Sequence, residues 1–164
     1  MSNQYKPYFY RMISLGTYNT LEILRDTSVG LFLGDCEGND ILLPNKYVPE
    51  SYEIGDSLTV FCYLDHSERP VATTLEPEIL VNEFQLLKVV EVNEFGAFMD
   101  WGLEKHLLVP FSEQLDKLKE GNLYVVYCYL DQQSNRLVGC NKIDKFLNND
   151  TLTVHEGDVV ELVV

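Results

Sequence analysis

Short runs of apolar or alternating residues recur along the chain, each ended by turn-forming residues. In the second half they cover 86–92, 95–101, 105–109, 123–131 and 136–141. In the first half they cover 21–25, 29–34, 40–43, 58–65 and 70–74. These runs are short and rich in β-formers, which predicts β-strands. A helical or 3-10 segment is predicted over 112–119, where Leu115 and Leu118 are three residues apart.

The two halves of the chain repeat one another at a spacing of 66 residues. Residues 60–65 read VFCYLD and residues 126–131 read VYCYLD. The same spacing relates Gly30 to Gly96 and Phe32 to Phe98. The match needs no gap between residues 21 and 72, which predicts two homologous domains.

Each copy of the repeat predicts the same small all-β domain. Five short strands with a long link between the third and the fourth are typical of a Greek-key barrel. We expect two tandem five-stranded antiparallel barrels at about 14–76 and 84–147, in domains that cover 1–78 and 84–147. The stretch 74–83 contains Pro77 and several acidic residues and is expected to link them.

The net charge narrows the range of partners. Apolar residues make up 46% of the chain and charged residues 23%, as in an ordinary globular protein. Twelve basic and 26 acidic residues give a net charge of −14. This charge argues against coating nucleic acid or an anionic membrane through bulk electrostatics, although a local binding site remains compatible with it.

The chemistry-bearing residues predict a binding protein rather than an enzyme. The four Cys have no C-x-x-C spacing and the three His are scattered, so we expect neither a metal nor another cofactor. There is no phosphate loop, nucleophile–base pair or distinct carboxylate cluster, and hence no catalytic residue is assigned. The sequence also contains neither a membrane span nor a signal peptide, which favours a cytoplasmic protein with reduced thiols.

The second copy resembles the S1 RNA-binding domain, a member of the OB-fold barrels. The resemblance depends on FGAFMDWG at 95–102, LLVPFSE at 107–113, Glu120-Gly121, and the strand that ends at Asp131 and is followed by Arg136. It covers about residues 84–146 and implies a barrel that binds single-stranded RNA.

Both copies together resemble the conserved virulence factor B family of bacterial S1-domain proteins. The residues responsible in the first copy are NTL at 19–21, GLFL at 30–33, ILLP at 41–44, VFCYLD at 60–65 and RPVATT at 69–74. The family implies further C-terminal S1 and winged-helix modules. Residues 148–164 end in EGDVVELVV, which resembles the first strand of a further S1-like domain, and a native strand docked on the second barrel is the alternative.

Two aromatic residues are the candidate base-stacking groups, because unpaired RNA bases stack on aromatic faces. The S1 pattern implies that Phe95 and Phe98 lie on the open face of the barrel. Phe98 has the alternative of being a core residue, since Phe32 matches it in the first copy. Phe32 is the corresponding candidate there, but Val29 replaces the first stacking Phe, so the first barrel is expected to bind less.

The S1 pattern also implies an Asp and an Arg on the hairpin after the fourth strand. Asp131 and Arg136 match it, and Arg69 is the counterpart in the first copy. An Arg can stack on a base and reach a phosphate, but an internal Asp131–Arg136 pair that fixes the hairpin is equally compatible with the sequence. Pro110 replaces the S1 His after the third strand, and His106 beside Lys105 could substitute for it.

Two functions follow from these residues. The first is a non-enzymatic module of a bacterial regulator that binds single-stranded RNA through the second barrel. The second is an acidic protein-interaction scaffold that docks on a basic partner such as the ribosome. The aromatic and basic candidates favour RNA, whereas the charge of −14 favours the scaffold.

Overall fold

The computed structural model describes residues 13–147, and the predicted strand within 148–164 therefore lies outside the described residues. The chain divides into two compact units after Glu76. Each unit contains five strands and no α-helix within the described residues, which confirms the all-β prediction.

The first unit is a closed five-stranded barrel. Its strands are β1 (Tyr18–Thr27), β2 (Gly30–Gly34), β3 (Asp40–Pro44), β4 (Ser57–Leu64) and β5 (Pro70–Thr73). They pair in the order β1-β2-β3-β5-β4, and β1 also pairs with β4 to complete the ring. The prediction of a purely antiparallel barrel was wrong at one ladder, because β3 and β5 pair in parallel through Leu42 and Val71.

The second unit repeats this arrangement as a five-stranded barrel sheet. Its strands are β6 (Phe84–Asn93), β7 (Gly96–Asp100), β8 (Leu107–Pro110), β9 (Leu123–Leu130) and β10 (Leu137–Cys140), in the order β10-β9-β6-β7-β8. The two end strands come close together. A Cβ added to Gly139 on β10 would lie 2.8 Å from the Val109 Cγ2 atom on β8.

The 66-residue repeat is present strand by strand. The bounds of β1, β2 and β4 recur unchanged at that spacing in β6, β7 and β9. Both long first strands also carry a β-bulge at the same place, between Ile23 and Arg25 and between Val89 and Glu91. The expectation of a gapless match was wrong in the last hairpin, where Pro70 and Leu137 occupy equivalent positions. The β9–β10 loop is therefore one residue longer than the β4–β5 loop.

Inward-facing positions of the strands form the two cores. In the first barrel the fully buried residues include Ile23, Leu31, Leu33 and Leu43, and in the second they include Leu87, Val89, Met99, Leu107 and Val109. Burying each such side chain contributes about 1.5–3 kcal/mol. Burial on alternate residues of β7 leaves every second side chain on the outer face, where a ligand has access.

The helical segment predicted at 112–119 is only a short 3-10 turn, Phe111–Glu113. The side chain of Gln114 ends it, because this buried amide donates to the Val109 carbonyl and accepts from the Leu118 N–H. Leu118 is buried whereas Leu115 is 68% exposed, so the two residues do not share one buried face.

Candidate nucleic-acid interface

Phe95 lies on a rigid turn at one end of the second barrel. The side chain of Asn93 accepts a hydrogen bond of 2.9 Å from the Phe95 N–H. The next residue, Gly96, has φ +144°, and a Cβ there would lie 2.3 Å from the Val109 carbonyl oxygen. This close approach requires glycine. The Phe95 ring is 63% exposed and is therefore not a core residue.

Phe98 lies on the outer face of β7. Its neighbours Ala97 and Met99 are fully buried, whereas Phe98 itself is half-buried. The backbone register places Phe98 between Glu91 on β6 and Leu108 on β8. Directly opposed residues share one face of a sheet, so an acidic and an apolar side chain flank the Phe98 position.

The equivalent residue in the first barrel, Phe32, is already covered on one side. The Arg25 guanidinium carbon lies 4.0 Å from the centre of the Phe32 ring. A 2.7 Å ion pair with Asp40 holds this guanidinium in place. The 66-residue spacing replaces Arg25 and Asp40 by Glu91 and His106 in the second barrel, so this intramolecular cover is specific to the first.

The two hairpins that carry the candidate Asp and Arg residues are built differently. In the first, Arg69 donates to the Asp65 carboxylate, with Nη2 2.8 Å from Oδ2. Burial alone would raise the pKa of Asp65, but hydrogen bonds from Arg69 and Ser67 outweigh it and lower the pKa below its ordinary value.

In the second hairpin Ser134 donates to the Asp131 carboxylate through both its backbone N–H and its hydroxyl. The hydroxyl bond is the main reason that the pKa of Asp131 is lowered. Arg136 immediately precedes β10, and its carbonyl accepts a 2.9 Å hydrogen bond from the Asp131 N–H. Both carboxylates therefore accept a serine backbone N–H, and the Asp131 carboxylate also accepts the serine hydroxyl.

Lys105 and His106 precede β8 and are half-buried. The Lys105 carbonyl accepts a 2.6 Å hydrogen bond from the Trp101 indole N–H, which fixes the loop between β7 and β8. The β7–β8 register places the Lys105–His106 pair at one end of these strands and Phe95 at the other, with Phe98 between them. Phe95, Phe98 and the Lys105–His106 pair therefore form a line along these two strands rather than one compact cluster.

An exposed aromatic residue that lies outside the predicted set is found after β8. Sequence reasoning missed Phe111, which is 43% exposed beside Pro110, although an aromatic residue next to the expected His position was a visible signal.

The equivalent thiols of Cys62 and Cys128 are buried, and burial raises the pKa of each to about 12. Such thiols are unreactive packing groups. Among residues 13–147, no group of three or more His, Cys, Asp or Glu residues could hold a metal ion.

The described part of the chain contains no helix that is long and apolar enough to cross a membrane. The sequence model of the S1 domain matches residues 15–75 and 83–140. These two matches correspond to the two barrels.

Several bacterial proteins are similar to this chain. YitL of Bacillus subtilis (strain 168) is 41% identical over 95 residues, which are 57% of this chain and 32% of YitL. Conserved virulence factor B of Staphylococcus aureus (strain USA300) is 27% identical over 157 residues, 92% of this chain and 52% of that protein. The Staphylococcus epidermidis (strain ATCC 12228) protein of the same name is 31% identical over 108 residues, 65% of this chain and 36% of that protein.

A solved structure has the same fold. It is a multidomain protein with nucleic acid binding domains from Streptococcus pneumoniae TIGR4, with a TM-score of 0.65 and 22% identity over 77% of this chain and 45% of that one. This chain spans between about a third and a half of the length of YitL and the two virulence factor B proteins. With two S1 domains in tandem and these relatives, the chain belongs to the S1-domain family, among the tandem-S1 proteins that include conserved virulence factor B.

Proposed function

We propose that this chain is a non-enzymatic module that binds single-stranded RNA through the outer face of its second barrel. The observation that carries the proposal is Phe95, a 63% exposed aromatic ring on a turn fixed by Asn93 and Gly96. An unpaired base can stack on such an exposed ring, and the fixed backbone of the turn lowers the ordering cost of binding. Phe98, on the adjoining strand β7, supplies another ring, and Arg136 supplies a cation at the hairpin.

The charge distribution predicts weak binding by this chain. The outer face of the second barrel includes acidic Glu91 beside Phe98, and Asp100 opposite Lys88. The whole chain has a net charge of −14, which opposes the approach of phosphates. We therefore expect a dissociation constant on the order of micromolar or weaker, with a steep dependence on salt.

The first test is a titration of labelled single-stranded RNA, followed by fluorescence anisotropy at low and at moderate salt. Saturable binding that weakens as salt rises supports the proposal. Absence of saturable binding at low salt contradicts it. Nanomolar affinity that does not change with salt contradicts the electrostatic argument, because few phosphate contacts would then contribute.

Arg136 and Arg69 provide a matched pair for the cationic contact. Arg136→Ala should weaken RNA binding and reduce the slope of log affinity against log salt by about 1. Arg69→Ala should change both quantities less, because the first barrel has Val29 where the second has Phe95 and so offers no stacking ring at that position. Equal effects of the two variants would contradict the assignment of the site to the second barrel.

An acidic scaffold is the second candidate, and the charge of −14 favours it. In that case the chain docks on a basic protein, for example on the ribosome, and mutation of Phe95 leaves this association unchanged. Co-sedimentation with purified ribosomes, compared between wild type and Phe95→Ala, separates the two functions.

We further propose that the chain acts in the cytoplasm, within a longer protein whose C-terminal part adds S1 and winged-helix modules.

A further inference from the structure

We propose that Phe111 is a second base-stacking platform, which takes the nucleotide next to the one on Phe95, with Lys142 contacting a phosphate. This inference rests on the proposed RNA binding and extends it to a residue that the S1 resemblance does not assign. It predicts that the RNA strand crosses from the turn before β7 to the 3-10 turn after β8.

The register brings the two rings to one end of the barrel. Gly96 on β7 and Pro110 on β8 are directly opposed in an antiparallel ladder. Phe95 comes just before Gly96 and Phe111 comes just after Pro110, so both aromatic residues lie at the same end of the β7–β8 pair. Their exposed fractions are 63% and 43%. Opposed strands are about 5 Å apart, which places the two aromatic residues within reach of neighbouring nucleotides.

The fold does not require an aromatic residue at this turn. The first barrel has the same 3-10 turn, Asn45–Tyr47, at the equivalent position. There Asn45 replaces Phe111, and its side-chain amide donates 2.8 Å to the Ser28 carbonyl. Val29 likewise replaces Phe95. Both exposed rings are therefore present in one barrel and absent from the other, although the backbone is the same.

A lysine ammonium is held at the backbone of the residue that follows Phe111. The Lys142 Nζ atom donates 2.8 Å to the carbonyl of Ser112, the residue that follows Phe111. A carbonyl carries no net charge, so this bond positions the cation without neutralising it. The nearby Glu113 carboxylate interacts with Lys142 through its charge but forms its direct ion pair, of 2.7 Å, with Lys145. An aromatic face beside a cation fits a base and its phosphate.

The test compares single-stranded RNA binding by the full chain and its variants in fluorescence anisotropy, with thermal unfolding measured in parallel. Phe111→Ala should weaken binding by at least about fivefold, the lower end expected for one base stack. Leu115→Ala removes a 68% exposed apolar side chain four residues later and should leave binding unchanged. Lys142→Ala should reduce the salt slope by about 1.

Phe111→Trp provides an independent readout. This variant should bind like wild type, and the new indole should lose fluorescence when RNA stacks on it. The native Trp101 is buried and gives a constant background. Unchanged affinity of Phe111→Ala, together with an unquenched Phe111→Trp, overturns the inference even if Phe95→Ala weakens binding and the proposed function stands. Absence of RNA binding by wild type overturns both the inference and the proposed function. Both are also overturned if Phe111→Ala weakens only the binding of a basic protein.

Discussion

Replacing Phe95 by Ala separates a binding role from a structural one. The ring is 63% exposed, so only about a third of its surface is buried by the fold. Full burial of a Phe side chain contributes about 1.5–3 kcal/mol, and truncation should therefore cost about 0.5–1 kcal/mol of stability. For a barrel of this size, that loss lowers the midpoint of thermal unfolding by about 2–8 °C. Loss of one base stack should cost about 1–3 kcal/mol of binding, a weakening of roughly 5- to 150-fold.

Met99→Ala, on the adjoining strand β7, is the contrasting variant. Met99 is fully buried, and truncation of such a side chain costs about 2–5 kcal/mol. Fluorescence anisotropy with labelled RNA and differential scanning fluorimetry should thus place the variants in opposite classes: Phe95→Ala folded and weakly binding, Met99→Ala unstable. If Phe95→Ala also unfolds the barrel, the exposure argument is wrong. If it binds RNA like wild type, the stacking role is refuted.

Three further predictions concern the fold and its titratable groups. Gly96→Ala should destabilise the second barrel by on the order of 3 kcal/mol, because φ is +144° and the added Cβ would lie 2.3 Å from a backbone oxygen. Gly121→Ala, at φ +84° with no atom within 4 Å of the added Cβ, should cost only about 1–2 kcal/mol, as urea unfolding will show. Iodoacetamide at pH 8 should modify exposed Cys36 and spare Cys128, whose pKa burial raises to about 12; rapid labelling of Cys128 in the folded protein would contradict this. The lowered pKa of Asp65 stabilises the fold above the unfolded pKa of about 3.9, so Asp65→Asn should lower the melting temperature most above pH 5, with a difference that shrinks below pH 3.

The strands were predictable because the same pattern of apolar and polar residues occurs in both halves of the chain. Positions such as Ile23 and Val89 face the core of their barrels, and alternation of inward and outward residues constrains both copies in the same way. The exposure of Phe95 was predictable too, since it follows a turn that needs glycine next to it. The S1 pattern then indicated which strand to examine.

The remaining features depend on contacts that leave no trace in the hydrophobic pattern. The parallel ladder between β3 and β5 follows from closing the barrel, not from either strand alone. The extra residue in the second hairpin is exposed, so no core position reveals where it falls. Arg25 over Phe32 is a surface contact between residues that are adjacent only because β1 and β2 pair with a bulge. The exposure of Phe111 depends on the 3-10 turn Phe111–Glu113, which the pattern placed one residue later, over 112–119.

The matching strand bounds of the two barrels create a hazard during folding, since a strand of one copy has the length and register to enter the other. The inward-facing residues of β2 and β7 oppose such an exchange. Leu31 is buried in the first barrel at the position that Ala97 holds in the second. A strand exchange would force a leucine into a space built for alanine, at about 1–3 kcal/mol, and leave a void where the leucine had been. Divergence inside the cores thus protects this tandem chain against domain-swapped misfolding while both copies keep one backbone.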